Sequence, residues 1–274
     1  MPWPVIPFSQ LTGVSGRFYP TYLRWPPENL QVLVVGGGGS GVWEGGGGGG
    51  GILDFSYSTK VLPGGQASIP IAAGGPGQNS SFSTAYVATA GGNSREGGGA
   101  GDYSAGTGGS PPGNRGGGWY HYGVVWGGGG GGAYSAVGGD ARFQNDFYSG
   151  DGREGYTVSA GFANALGGQT VLGSSGAGGF RAPSYYKVYG YNVRLGTAGT
   201  GAGKGGYGGA TAVGDRAGNG SWYGSGGGGP GGTGRQGVVV VSYPGTQASP
   251  SGTVSSYGGY TYHVFTAASA TLEL

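Results

Sequence analysis

Leu30-Gln31-Val32-Leu33-Val34-Val35 runs directly into Gly36-Gly37-Gly38-Gly39, then Ser40-Gly41-Val42-Trp43-Glu44 and seven glycines, Gly45–Gly51. Near the other end of the chain the order is reversed: Gly226–Gly229 and Pro230-Gly231-Gly232 lead into Val238-Val239-Val240-Val241-Ser242-Tyr243. Short apolar runs bounded by glycine read as buried strands. Strand-then-glycine and glycine-then-strand therefore bracket one domain, and the segment between them must account for its glycine.

The chain has 274 residues and 76 glycines, and all but Gly13, Gly16, Gly245, Gly252, Gly258 and Gly259 lie inside the brackets. Aperiodic glycine of this density is the composition of flexible linkers. Disordered chains, however, are rich in charge and poor in aromatics. Here charged residues are 9% and aromatics 13%, with 20 Tyr and 6 Trp. Ordering a glycine costs roughly 0.5–1 kcal/mol more than ordering an alanine, on the order of 40–75 kcal/mol over the chain. An ordered domain must offset this with dense backbone hydrogen bonding and close packing. The polyproline II helix makes no internal hydrogen bonds, but glycine versions lack the Cβ that keeps neighbours apart. Packed side by side, they can pair every backbone group. The expectation is an all-β fold: an antiparallel strand framework enclosing packed glycine-rich, polyglycine II-like segments, with little or no helix.

Three parts follow from composition. Residues 1–29 form a proline- and aromatic-rich arm in which Trp3, Phe8, Phe18, Tyr19, Tyr22 and Trp25 are candidate anchoring residues. Proline fixes φ and removes donors, so the arm should be extended, with a strand over Arg17–Trp25 turned by Pro26-Pro27. Residues 30–243 are the glycine-rich domain, and 244–274 a linker and terminal β-hairpin. Within the domain, Ile52–Val61 and Ala67–Ala72 read as a hairpin turning at Pro63-Gly64-Gly65-Gln66. Pro70 points to an edge strand. At the C-terminus, Tyr260–Thr266 alternates at period two, and Thr271–Leu274 should pair back onto it. No helical period or fixed repeat appears.

Several functions are disfavoured. A net charge of +2 gives no electrostatic footprint for nucleic acid. With no cysteine there is neither a disulfide framework nor a thiolate site. No run of eighteen apolar residues suggests membrane insertion, and Met1-Pro2-Trp3-Pro4 does not open like a secretory signal. Gly36-x-Gly38-x-x-Gly41 with Asp54 has the spacing of a dinucleotide fingerprint, but Gly45–Gly51 cannot supply the helix N-terminus that holds a pyrophosphate. Gly201-Ala202-Gly203-Lys204-Gly205 has the composition of a phosphate loop without its spacing. His121, inside an aromatic island, could contact a ligand but has no acidic partner nearby in sequence, and His263 reads as a half-buried strand residue. Asp151 and Glu154 read as a solvated turn around Arg153. No nucleophile–base pair, metal-ligand spacing or cofactor motif stands out, so the chain reads as a non-enzyme.

The aromatic islands remain: Trp119, Tyr120, His121, Tyr122 and Trp126; Phe143–Tyr148; Tyr185, Tyr186, Tyr189 and Tyr191; Trp222 and Tyr223. Tyr and Trp give large contact area at low entropic cost and suit recognition surfaces. The simpler reading is that they cap a glycine bundle that has no side chains to bury, and both roles stay open.

The two bracket motifs, the Ile69-Pro70-Ile71-Ala72-Ala73-Gly74-Gly75 and Asn79-Ser80-Ser81-Phe82 stretches, and Tyr257-Gly258-Gly259-Tyr260-Thr261-Tyr262-His263-Val264-Phe265-Thr266 together resemble the glycine-rich domain of bacteriophage tail-fibre and adhesin-type virion proteins. The resemblance implies location in the virion, packed polyglycine helices, and loops that contact a host-cell glycan or outer-membrane protein. Apart from the resemblance, the aromatics of the 1–29 arm read as an anchor to other virion proteins or to a neighbouring copy, and exposed strand edges that need covering point to a homo-oligomer. A fibre shaft or capsid decoration without receptor binding is the alternative. An ice-binding bundle would want a flatter, more regular face, and a self-associating matrix protein would not need the strand brackets.

Overall fold

The computed structural model describes residues 27, 29–59, 68–93, 95–97, 102–104, 109, 114–122, 125–181, 187–188, 191–203, 207–208, 217–246 and 250–274. The fold is all-β, as expected, and its base is a two-sheet sandwich. β1 (Asn29–Val35) lies between β2 (Ile52–Ser58) and the closing strand Val238–Pro244, all antiparallel. The terminal hairpin, Thr253–Tyr257 and Tyr260–Phe265, extends this sheet beyond the closing strand to five strands. The second sheet joins β3 (Ser68–Ala72), β4 (Ser80–Phe82) and β5 (Tyr86–Ala88) to the last strand, Ala270–Glu273.

The bracket strands are buried on both faces, which is why they read as unbroken apolar runs. Leu30, Val32, Val34, Val239, Val241 and Tyr243 face the second sheet, meeting Ile69, Ile71, Phe82 and Leu272. Leu33, Val35, Val238, Val240 and Val264 face the other way, onto Phe162, Ala163 and Leu166. Those three lie on or just past a short helix, α1 (Ala160–Ala165). The sequence signal for α1 was brief but present. The Ser159 hydroxyl accepts from the Phe162 N–H, and Gly167 follows with φ 68°, a cap at each end.

Three strand assignments are corrected. β2 and β3 do not form a hairpin: β2 pairs with β1, while β3 pairs with β4 and the last strand. The proposed turn at 63–66 lies outside the described residues. Pro70 is not on an edge, since β3 is interior to its sheet. Its missing donor falls where β4 ends: Ser83 donates to the Pro70 carbonyl and then turns away with φ 54°. Finally, Ala270–Glu273 crosses to β3 instead of pairing back on Tyr260–Phe265.

The register of the first sheet passes directly into the glycine. Val35 pairs with Ile52, and the next rung is the Gly36 N–H donating to the Gly51 carbonyl. From there the donors turn in three directions instead of two. Gly36 and Gly39 donate to Gly51 and Gly48, Gly38 and Gly41 to Arg235 and Gly232, and Gly37 and Ser40 to Gln78 and the Asn93 side chain. Period three is the signature of a polyglycine II helix.

Gly45–Gly51 is the centre of the array. Gly46 and Gly49 donate to Gly129 and Gly132, Gly47 and Gly50 to Gly227 and Gly224, and Gly48 and Gly51 to Gly92 and Thr89. Its carbonyls accept from Gly36 and Gly39, from Gly176, and from Gly109. It thus donates to three neighbours and accepts from three others, a hexagonal environment. None of these seven residues has φ in the left-handed range. Glycine is needed here for close approach: a Cβ on Gly46, Gly47, Gly49 or Gly50 would collide with a neighbouring carbonyl.

Serines and carboxamides finish the lattice. Ser149, Ser175 and Ser225 are buried, and their hydroxyls donate to Gly178, Gly131 and Gly201 carbonyls. Asp151 and Glu154 are not a solvated turn. They sit three residues apart on one glycine-rich segment and accept from Thr197 and Thr200, three apart on the next. Side-chain oxygens here replace the neighbouring helix that a lattice boundary lacks.

Candidate recognition surface

The lattice carries several segments to the end opposite the sandwich. Gly127–Gly132 arrives parallel to Gly46–Gly49, so it comes from that far end, where Tyr120–Tyr122 and Val125–Gly127 form an antiparallel hairpin. A second far-end sheet contains Arg142–Gln144, Asp146–Tyr148 and Tyr191–Arg194. Asn145, at φ 62°, makes the tight turn between its first two strands; asparagine tolerates this conformation better than most residues.

Strand alternation gives the first hairpin two faces. Tyr120 and Tyr122 point to one side, where Tyr120 meets Phe147 and Tyr122 meets Phe143 and Phe147 at ring distances of 6.3–6.4 Å. Tyr191 joins them, 4.9 Å from Phe143. Phe147 and Phe180 are fully buried beneath, with Val193. This is a small aromatic core closing the glycine array. On the opposite face His121 and Trp126 are a cross-strand pair stacked at 3.8 Å, with Trp119 alongside at 6.3 Å from Trp126. His121 is exposed, and Trp119 and Trp126 are half-buried.

The structure therefore brings together Trp119, Tyr120, His121, Tyr122, Trp126 and Tyr191. It does not bring Trp222 and Tyr223 to them: Trp222 packs on Gly201, and Tyr223 on the α1 cluster at the base. Tyr185, Tyr186 and Tyr189, and the arm residues Trp3, Phe8, Phe18, Tyr19, Tyr22 and Trp25, lie outside the described residues.

Sequence reasoning marked Phe143–Tyr148 as an aromatic island but passed over the guanidinium groups of Arg142 and Arg194. Arg142, Tyr148 and Arg194 stand side by side on three strands, with the guanidinium groups 5.3 and 5.9 Å from the Tyr148 ring. Arg194 Nε donates to Asp146 Oδ2 at 2.9 Å, and this bond holds the half-buried Asp146 carboxyl below its ordinary range. The available signal was the alternation of Arg142-Phe143-Gln144 and Asp146-Phe147-Tyr148 about one asparagine. Trp43 was also missed. It is 40% exposed, at φ 52°, in the turn joining the first two glycine helices. Its neighbour Glu44 accepts from Gly179, one residue before the far-end strand Phe180–Arg181.

In chemical terms the far end offers stacked rings, guanidinium groups and one carboxylate. Among the described residues no three His, Asp or Glu side chains gather as a metal site. No protein family, curated protein or solved structure matches this chain.

Proposed function

We propose that the protein is a non-enzymatic bacteriophage virion component, a tail-fibre or adhesin-like protein whose aromatic far end recognises the host surface. One observation carries the reading: a polyglycine array anchored on a sandwich at one end presents a rigid aromatic hairpin at the other. An array cross-linked in three directions is stiff, and stiffness at a contact surface lowers the entropic cost of binding. Trp119 and Trp126, stacked with His121, are of a residue type enriched among those that dominate interface energetics. The 1–29 arm would join the protein to other virion components or to further copies of itself.

The second reading, a structural shaft or decoration protein, is favoured by the Tyr120, Tyr122 and Phe147 contacts, which have the geometry of a cap. The two faces of the hairpin separate these roles. Trp119→Ala with Trp126→Ala should reduce adsorption of particles carrying the protein by more than about tenfold, the effect of removing about 1.4 kcal/mol or more of binding. The melting temperature should barely change. Tyr120→Ala should instead lower the melting temperature. Adsorption unchanged by loss of both tryptophans would leave the structural reading.

A further inference from the structure

α1 covers the apolar half of the outer face of the five-stranded sheet. Beyond it a polar row crosses adjacent strands, with Gln31 opposite Ser56 on one side and Ser242 on the other, and Ser242 opposite Tyr262. Between this row and the start of the helix lies a cleft of about 380 Å³, whose lining also includes Asp54, Ser159 and Tyr260. It is at the base of the molecule, away from the aromatic far end.

We propose that this cleft binds a neutral hexose unit. A pyranose has an apolar C–H face and a rim of hydroxyls that both donate and accept. The cleft answers both, with tyrosine rings on one wall and an amide, a carboxylate and two serine hydroxyls as polar partners. Tyr260 is 42% exposed and can take a ring face, while Tyr262 is 7% exposed and forms the deeper wall. Strands repeat at about 4.8 Å, so Gln31, Ser242 and Tyr262 span roughly 10 Å, the scale of one sugar ring with its substituents. The volume lies within the range of small-molecule sites, about 300–1,000 Å³, leaving room for bridging water.

The polar groups are held in place. Gln31 Nε2 donates to Ser56 Oγ at 2.7 Å, and Tyr156 Oη donates to Asp54 Oδ2 at 2.8 Å. Burial, with help from Asp54, pushes the Tyr156 hydroxyl up to about 12, so it remains a donor and fixes the carboxylate. Asp54 is the one charged residue in the lining, which selects against uronic acids and phosphorylated sugars.

Saturation-transfer NMR on the full chain tests this, using methyl glucoside, galactoside and mannoside, with glucuronate as the anionic control. At least one neutral glycoside should saturate, and glucuronate should not. The signal should fall at least fivefold in Tyr260→Ala and in Gln31→Ala, both at exposed positions, with the melting temperature unchanged. It should persist in the Trp119→Ala, Trp126→Ala variant. The proposal is overturned by a panel without signal, by equal saturation of glucuronate, by signals that survive both cleft substitutions, or by loss in the tryptophan variant, which would place sugar binding at the far end. The cleft is independent of the recognition role, so either can fail alone.

Discussion

His263 is fully buried between the sheets, where its Nε2 meets the Tyr243 hydroxyl at 2.7 Å and its Nδ1 the Ser251 carbonyl at 2.6 Å. Reading it as a half-buried strand residue underestimated its burial, because the second sheet covers a face that the terminal hairpin alone would leave open. Burial lowers its basicity below the ordinary 6.5, partly countered by the Ser251 carbonyl. Above pH 6.5 the imidazole is neutral in both folded and unfolded chains and stability does not respond to it. As the pH falls below 6.5 the unfolded chain takes up a proton that the folded one resists. Stability then drops by up to about 1.4 kcal/mol per pH unit until the depressed folded value is reached. Urea denaturation at pH 7.5, 6 and 5 should show this loss, and His263→Gln should flatten it over the same interval.

At the scale of elements, the central glycine helix is held by contacts that no larger residue permits. Gly47→Ala would drive a Cβ into the Gly39 carbonyl. The neighbouring helices cannot withdraw without breaking hydrogen bonds on their far sides. We expect a loss of about 3 kcal/mol, at the upper end of overpacking effects, and a melting temperature lower by about 5–10 °C. Gly75→Ala is the control: its Cβ would meet only the flexible Gln78 side chain, at 3.3 Å, and stability should change by less than about 0.5 kcal/mol. Equal effects from the two substitutions would contradict the lattice account. The lattice itself was legible from composition, because so much glycine with so little charge has few other stable outcomes. The pairing of β2 and β3 was not legible. Ile52–Ser58 and Ser68–Ala72 look like hairpin partners locally, and only the competing edges offered by β1 and by the last strand separate them.

The described residues form one interlocked body. Glycine segments from early, middle and late chain alternate within the array, so neither end can lose order without breaking hydrogen bonds that support the other. Thermal unfolding followed by far-UV circular dichroism, which reports the sandwich, and by the fluorescence of a Trp3→Phe, Trp25→Phe, Trp222→Phe variant, whose remaining tryptophans Trp43, Trp119 and Trp126 report the far end, should therefore coincide in a single transition. Two separated transitions would mean that the array transmits no cooperativity.

The sequence by itself determined the bracket strands, whose residues are apolar on both faces, and the threefold glycine packing, since only the absence of Cβ allows backbones so close. It also marked the aromatic islands. Tertiary structure decided which glycine helices are neighbours, which islands meet, and which face of the Tyr120–Tyr122 hairpin is covered. Glycine carries no side-chain code, so one run is locally equivalent to another. Their order is imposed from outside, by the sheet register at Val35 and Ile52 and by the aromatic residues that close the far end.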